Sequence, residues 1–153
     1  DMAGDAEAEM REKVGEFYRT EIRDTVSPLA KEALERHRQQ GDRIVLLTSA
    51  TPYVAEPLAD ELAIPHVLCT RLAVENGRFS GTLLPPACYG EGKVHHAERF
   101  ASSHGIDLDA SFFYTDSYSD LPMLLRVGQP VAVNPDRRLV RYARHRGWPI
   151  LSW

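Results

Sequence analysis

Residues 112–124 read FFYTDSYSDLPML, an apolar run that ends in two carboxylates, Asp116 and Asp120, and passes at once into the start of a helix. Carboxylates crowded at the end of a buried strand repel each other and lose hydration, so they need a cation nearby. A hard metal such as Mg²⁺, or a lysine, supplies that charge. The alternative is that Asp120 only favours the helix N-terminus through the helix dipole, while Asp116 lies in a turn.

Strands alternate with helices along the rest of the chain. The continuous apolar run at 43–48 predicts a strand buried on both faces, and Asn76-Gly77 predicts a hairpin turn. This alternation predicts the α/β class, with a parallel sheet covered by helices on both faces. The sequence predicts helices at about 2–24, 29–40, 52–62, 92–104, 119–127 and 135–146, and extended segments at about 43–48, 66–69, 72–75, 78–82, 111–115, 130–133 and 149–151.

Composition narrows the class of protein. The 153 residues, 43% hydrophobic and 26% charged, fit one ordinary globular domain and not a disordered tail. A net charge of −4 gives no electrostatic reason to expect nucleic acid or an anionic membrane as a partner. No apolar run is long enough to span a bilayer, and Cys69 and Cys88 have no metal-ligand spacing. We therefore expect a cytoplasmic protein with reduced thiols.

Two further strand ends carry polar side chains where ligands of an open parallel sheet bind. Thr48 and Ser49 follow the strand at 43–48 and offer hydroxyl and backbone N–H groups of the kind that hold phosphate. The alternative is that they cap the following helix. Asn134 follows the strand at 130–133, and Asn-Pro is also an ordinary turn signal.

Lys93 lies between glycines and a predicted helix, in the stretch Gly90-Glu91-Gly92-Lys93. A cation at a helix N-terminus opposes the helix dipole, so an anionic group nearby would explain it. The stretch lacks the longer glycine loop and the following Ser or Thr of a P-loop, which makes nucleotide binding by that route a poor explanation.

Taken in order, Thr48, Lys93, the Asp116–Asp120 pair with Leu121-Pro122, and Asn134 resemble the motifs of the haloacid dehalogenase-like (HAD) hydrolase superfamily. Within it, the chain is similar to the phosphoserine-phosphatase-like branch, subfamily IB. The resemblance implies a three-layer, Rossmann-like parallel sheet over residues 28–153. It also implies that residues 1–27 are the late part of a helical cap.

The resemblance assigns a role to each of these residues. Thr48, or Ser49 if the register differs by one residue, would hydrogen-bond the phosphoryl group, with Asn134 supporting the same side of the site. Lys93 would stabilise negative charge on the phosphate. Asp116 would bind Mg²⁺, and Asp120 would orient Lys93 or hold a metal-bound water. The Mg²⁺ would neutralise the carboxylates and polarise the phosphoryl oxygen.

One family motif is missing from this sequence. The family's nucleophile is an aspartate of an Asp-x-Asp-x-Thr motif at the end of the first strand, and no such motif occurs here. Asp1 and Asp5 follow no apolar strand and are not replacements. We therefore predict that the first strand of the family's sheet is absent, and that the chain is the carboxyl-terminal part of a longer enzyme. Either the missing segment or a second copy of the chain would complete the sheet; if the chain folds alone, the alternative is that the two flanking strands close on each other.

Two functions follow as expectations. The first is hydrolysis of a small phosphorylated metabolite by the full-length protein, with this chain inactive on its own. The second is a regulatory or binding role, in which the phosphate and metal site persists without a nucleophile.

Overall fold

The computed structural model describes residues 3–153, so Asp1, and Met2 of the predicted first helix, lie outside the described residues. The chain divides into two compact units between Cys88 and Tyr89. Helices alternate with parallel strands, which confirms the predicted α/β class. The division into a cap remnant at 1–27 and a core at 28–153 stays a prediction. No helix within residues 3–153 is both long and apolar enough to cross a bilayer.

The first unit holds a parallel strand pair and an antiparallel hairpin. Strands β1 and β2 pair in parallel, with Val45 opposite His66, and β3 and β4 pair antiparallel. Its elements are α1 (Glu7–Phe17), a π-helical turn (Tyr18–Ile22), α2 (Pro28–Gln39), β1 (Val45–Leu47), α3 (Pro52–Glu61), β2 (His66–Leu68), β3 (Leu72–Glu75) and β4 (Arg78–Leu83).

Local sequence signals place several of these elements as predicted. Asn76 and Gly77 have φ angles of 52° and 76°, the left-handed pair that a two-residue hairpin turn requires. The Ser27 hydroxyl accepts a hydrogen bond of 3.1 Å from the backbone N–H of Leu29 and so caps α2. The predicted hairpin and this helix start are therefore confirmed.

Strand β1 is less buried than its apolar sequence predicts. All three of its residues are partly exposed, so the prediction of a strand buried on both faces is wrong. Among the described residues, β1 pairs with β2 along one of its edges, and its other edge has no strand beside it. The side chains of β1 are therefore less covered than those of a central strand, which has a neighbour on both edges.

Helix α1 is joined to α3 by a partly buried hydrogen bond: the Tyr53 hydroxyl donates to Glu7 Oε2 over 2.8 Å. Burial, reinforced by this bond to a carboxylate, raises the pKa of Tyr53 to about 12. The ordinary tyrosine pKa is about 10. Since the folded state favours the neutral phenol, its contribution to stability is fully present below about pH 10 and is lost as the pH rises towards 12.

We expect Tyr53→Phe to remove this alkaline dependence. Ultraviolet titration of tyrosinate in the folded chain is predicted to show one ionisation near pH 12 that is absent from the variant. The free energy of unfolding of the wild type is expected to fall more steeply than that of Tyr53→Phe above about pH 10. Identical alkaline profiles for the two proteins would contradict this assignment.

The second unit is built on a three-stranded parallel sheet in the order β5-β6-β7. Its core consists of Leu124, Ala132, Leu139 and Ala143, all fully buried, with Phe113, Tyr118 and Trp148 packed against them. The elements are α4 (Glu91–His104), a 3-10 turn (Leu108–Ala110), β5 (Phe112–Thr115), a second 3-10 turn (Tyr118–Asp120), α5 (Leu121–Arg126), β6 (Gln129–Val133), α6 (Arg137–Arg146) and β7 (Ile150–Leu151).

Candidate active site

The turn after β5 is folded by short-range hydrogen bonds among its own residues. Ser117 Oγ accepts from the backbone N–H of Ser119 over 3.2 Å, and the Ser117 carbonyl accepts from the N–H of Asp120 over 3.1 Å. These bonds close the 3-10 turn and place Asp120 immediately before α5, where its side chain is buried. Residues 117–120, with the sequence SYSD, thus form a turn that fixes the position of the Asp120 carboxylate.

Asp120 forms a buried ion pair with Lys93. The Nζ atom of Lys93 lies 2.7 Å from Asp120 Oδ1, and the two side chains are 8% and 6% exposed. Lys93 enters α4 in its first turn, after Gly90, whose φ of 54° suits a glycine. A lysine there opposes the dipole of α4, and the Asp120 carboxylate offsets that cost.

Thr115 holds the second oxygen of Asp120. Its hydroxyl donates to Asp120 Oδ2 over 2.5 Å and accepts a bond of 3.3 Å from the backbone N–H of Ser117. The Asp120 side chain makes no capping bond to α5. The idea that Asp120 serves only the helix N-terminus is therefore wrong, because both oxygens are engaged by Lys93 and Thr115 instead.

Sequence reasoning missed Thr115, although a threonine at the last position of a strand that precedes a carboxylate was a usable signal. We expect Thr115→Val to lower the free energy of unfolding by about 1–3 kcal/mol, because it leaves a buried carboxylate oxygen without its donor. Urea denaturation measures this loss. The matched control is Thr82→Val on the exposed part of β4, which should change stability by less than about 0.5 kcal/mol. Equal effects of the two variants would contradict the role given to Thr115.

Asp116 has the opposite environment to Asp120. It is exposed, and within residues 3–153 its carboxylate has no hydrogen bond or ion pair. Its backbone carbonyl accepts a bond of 2.9 Å from the N–H of Asp136. The main chain of Asp116 is thus fixed while its carboxylate remains available to a ligand.

The Asp116 carboxylate suits Mg²⁺, which takes oxygen ligands, keeps several waters and is commonly bound by one or two carboxylates together with substrate phosphate. Within residues 3–153, no group of three or more His, Cys, Asp or Glu side chains is placed to hold a metal ion. A single exposed carboxylate would leave the other positions of a metal ion to water and phosphate, and Mg²⁺ binding by Asp116 stays a prediction. The geometry favours Lys93 as the partner of Asp120; direct metal binding by Asp120 stays a prediction.

Asn134 is engaged by the end of the chain. Its Nδ2 donates to the Trp153 carbonyl over 3.2 Å, and its Oδ1 accepts from the Trp153 N–H over 3.0 Å. Its backbone has a φ of 44°, in the left-handed region that asparagine tolerates. These two bonds leave one amide hydrogen of Asn134 that could be donated to a phosphate oxygen. The phosphate-binding role of Asn134 stays a prediction.

Asp136 is a second residue that sequence reasoning missed. Its Oδ1 accepts from the N–H of Leu139, which caps α6, and its Oδ2 accepts from the N–H of Tyr118, each over 2.8 Å. These backbone bonds, that from Tyr118 first, lower the pKa of the carboxyl below its ordinary value. The Asn-Pro-Asp sequence signalled a turn and a helix start, but not the bond to Tyr118.

Thr48 and Ser49 lie in the first unit, directly after β1. The Thr48 hydroxyl accepts from the N–H of Ala50 over 3.1 Å, and Ser49 is exposed. The N-cap position of α3 belongs to Thr51, so the alternative that Thr48 or Ser49 caps this helix is wrong. That Thr48, or alternatively Ser49, hydrogen-bonds the phosphate stays a prediction.

The sequence does hold an Asp-x-Asp pair, at Asp107 and Asp109, in addition to the residues considered above. The structure places it in the 3-10 turn before β5, not after a strand. Asp107 Oδ1 accepts from the N–H of Asp109 over 2.9 Å, and Asp109 pairs with Arg126 at 3.4 Å. Its position and contacts are those of a surface turn, unlike those of the family's nucleophile.

The sequence profile of the haloacid dehalogenase-like hydrolase family matches residues 1–125. The chain therefore belongs to the haloacid dehalogenase-like hydrolase family, which confirms the resemblance seen in its motifs. The matched region includes Thr48, Lys93, Asp116 and Asp120.

Named relatives agree with this family. A phosphoserine phosphatase of Mycobacterium tuberculosis (strain ATCC 25618 / H37Rv) is 38% identical over 136 residues, which cover 88% of this chain and 44% of that protein. A histidinol-phosphatase of Neisseria meningitidis serogroup C (strain 8013) is 30% identical over 151 residues, covering 94% and 68%. The chain spans about half the length of most of the curated relatives it matches.

The fold has a similar counterpart among solved structures. The crystal structure of a protein with unknown function from Bordetella pertussis Tohama I aligns with a TM-score of 0.89 and 30% identity. The alignment covers 95% of this chain and 67% of that one. The backbone arrangement described above is therefore one that a related sequence also adopts.

Proposed function

We propose that the full-length protein is a Mg²⁺-dependent phosphatase that hydrolyses a small phosphorylated metabolite through an aspartyl-phosphate, with the nucleophilic aspartate outside this chain. The observation that carries the proposal is the buried Lys93–Asp120 pair, whose carboxylate lies in the same turn as Asp116. Asp116 is exposed, and its carboxylate has no side-chain partner within residues 3–153. A cation held rigidly beside a carboxylate that is ready for a metal suits the charge of a transferring phosphoryl group.

The residues of this chain would divide the work as follows. Lys93, fixed by Asp120, would stabilise negative charge on the phosphoryl oxygens, and its burial limits competition from water. Asp116 would hold Mg²⁺, which when bound polarises the phosphoryl oxygen. Thr48 or Ser49, and Asn134, would donate hydrogen bonds to the phosphate.

The names of the relatives support phosphatase activity but do not agree on a substrate. The two relatives described above are both named phosphatases, but one name specifies phosphoserine and the other histidinol. The substrate is therefore proposed by class alone, as a small phosphomonoester.

Two strands, β1 and β5, each have one edge without a pairing strand among the described residues, which supports the proposal that a further strand pairs there. Within the described residues, β1 pairs along one edge with β2, and β5 pairs along one edge with β6. Unpaired edges present backbone N–H and C=O groups that a further strand satisfies. We propose that a strand supplied by another segment of the full-length protein pairs with such an edge and carries the nucleophile. A second copy of this chain could pair with the edge but would bring no nucleophile, because its sequence has no Asp-x-Asp-x-Thr motif.

Hydrolysis of para-nitrophenyl phosphate by the full-length protein tests the function. We expect turnover with Mg²⁺, none after chelation, and no significant turnover by the 153-residue chain alone. Thr48→Val should raise the KM for the phosphomonoester or lower kcat by about tenfold, the effect of one lost hydrogen bond to a charged group. Ser49→Ala is its matched control, and a larger effect at Ser49 would reassign the ligand.

A second function is favoured by one observation: no Asp-x-Asp-x-Thr motif occurs in the sequence. Under that alternative, the protein binds phosphate and metal without catalysis and acts as a regulatory or binding protein. Tight phosphate binding by the full-length protein, without turnover of any phosphomonoester tested, would favour the second function over the first.

A further inference from the structure

Asp136 contacts the turn after β5 on both sides of Ser117. Its backbone N–H donates to the carbonyl of Asp116 over 2.9 Å, and its Oδ2 accepts from the N–H of Tyr118 over 2.8 Å. Its other oxygen caps α6 through Leu139. One residue therefore ties the turn that carries Asp116 to the first turn of a ten-residue helix.

A second contact from α6 reaches the same turn. The guanidinium of Arg138 lies 4.1 Å from the ring centroid of Tyr118, a cation–π distance. Tyr118 also packs against the buried core that includes Leu139. Residues at the start of α6 thus hold the turn by backbone, side-chain and ring contacts.

These contacts exceed what a helix cap needs. A cap requires one acceptor oxygen, which serine or asparagine supplies as well as aspartate does. Asp136 uses two oxygens, and the second goes to Tyr118, which is 18 residues away in the sequence. A carboxylate is the side chain that offers two acceptor oxygens from one short stem.

We propose that Asp136 is a positioning residue for the metal-binding carboxylate of Asp116. By holding the carbonyl of Asp116 and the N–H of Tyr118, it fixes the main chain from which the Asp116 side chain projects. The Thr115 hydroxyl also holds this turn, by accepting a hydrogen bond from the Ser117 N–H. This inference rests on the proposed function, because Asp116 is the metal ligand in that proposal.

Asp136→Asn separates positioning from capping, since asparagine has one acceptor oxygen and is as good a cap as aspartate. In the full-length protein we expect kcat/KM for para-nitrophenyl phosphate to fall about 10- to 100-fold, the usual effect of losing a residue that orients a metal ligand. The Mg²⁺ concentration for half-maximal activity should rise, while the unfolding midpoint falls no further than in the helix-cap control below, because an exposed residue loses one hydrogen bond. Amide exchange should quicken at Tyr118 and stay slow at Leu139.

The matched control is Ser27→Ala, which removes the cap of α2 in the first unit. It should lower stability without changing kcat/KM or the Mg²⁺ requirement. Equal losses of kcat/KM in Ser27→Ala and Asp136→Asn would overturn the proposal, because the effect would then follow stability. Unchanged kcat/KM and Mg²⁺ requirement in Asp136→Asn would also overturn it. If exchange quickens at Leu139 and not at Tyr118, the asparagine has kept the bond to Tyr118 and lost the cap. The test is then repeated with Asp136→Ser, because the shorter serine side chain can cap α6 without reaching Tyr118.

Calorimetric titration with Mg²⁺ keeps this proposal separate from the proposed function. If the wild-type protein shows no hydrolysis, the proposed function fails, and the affinity for Mg²⁺ still decides the role of Asp136. Weaker Mg²⁺ binding by Asp136→Asn than by the wild type supports positioning. Equal affinity, or no Mg²⁺ binding by either protein, overturns it.

Discussion

Asp116→Asn is expected to lower Mg²⁺-dependent hydrolysis of para-nitrophenyl phosphate by the full-length protein by about a hundredfold or more. Polarisation of a phosphoryl oxygen by a bound metal contributes several kcal/mol to transition-state stabilisation, and about 1.4 kcal/mol corresponds to tenfold in rate. The amide is a much weaker ligand for Mg²⁺ than the carboxylate. Steady-state kinetics over a range of Mg²⁺ concentrations measures the loss.

The same substitution should leave folding nearly unchanged. Asp116 is exposed and its carboxylate has no partner within residues 3–153, so the free energy of unfolding should change by less than about 0.5 kcal/mol. Asp109→Asn is the matched control, because Asp109 is an exposed aspartate of the same unit that pairs with Arg126. Full activity in Asp116→Asn, or an equal loss in Asp109→Asn, would show that Asp116 does not hold the metal.

Lys93→Met should destabilise the chain by about 3–5 kcal/mol, because it leaves the buried Asp120 carboxylate without its cation. Small domains are stable by about 5–15 kcal/mol, so the loss is a large part of the total. Urea denaturation gives the value. Replacing both partners, as in Lys93→Met with Asp120→Leu, should cost less than Lys93→Met alone, since no buried charge then remains unpaired.

The control for this prediction is Arg126→Met. Arg126 pairs with Asp109 at 3.4 Å and Glu98 at 4.0 Å, and the side chain of Arg126 is 37% exposed. Pairs near the surface contribute about 0–1 kcal/mol, so this variant should lose far less stability than Lys93→Met. Similar losses in the two variants would mean that the Lys93–Asp120 pair is not protected from solvent as described.

The sequence was informative where local signals act alone. The spacing of Asp116 and Asp120, with a turn between them, placed both carboxylates after a strand, and the mismatch of Lys93 with the helix dipole pointed to an anionic partner. The structure supplies that partner as Asp120. The first inference depended on two residues four positions apart, and the second on one lysine whose charge opposes the dipole of its own helix.

Contacts between distant residues were beyond the reach of the sequence. Asp136 binds Tyr118 across 18 positions, and the Asn134 amide is engaged by Trp153 across 19. Nothing in the composition of those segments distinguishes them from an ordinary turn and a terminal residue. The partial exposure of β1 was equally hidden, because an apolar run shows that cover is needed and not which element provides it.

The central claim is that Lys93 and Asp116 serve one phosphoryl group and its metal. The most direct test is a crystal structure of the full-length protein grown with Mg²⁺ and a phosphate analogue such as orthovanadate. The account predicts Mg²⁺ at about 2.0–2.1 Å from an oxygen of Asp116, the usual distance for this metal, and an analogue oxygen within hydrogen-bond distance of Lys93 Nζ. A metal ligated by other residues, with the analogue away from Lys93, would contradict it.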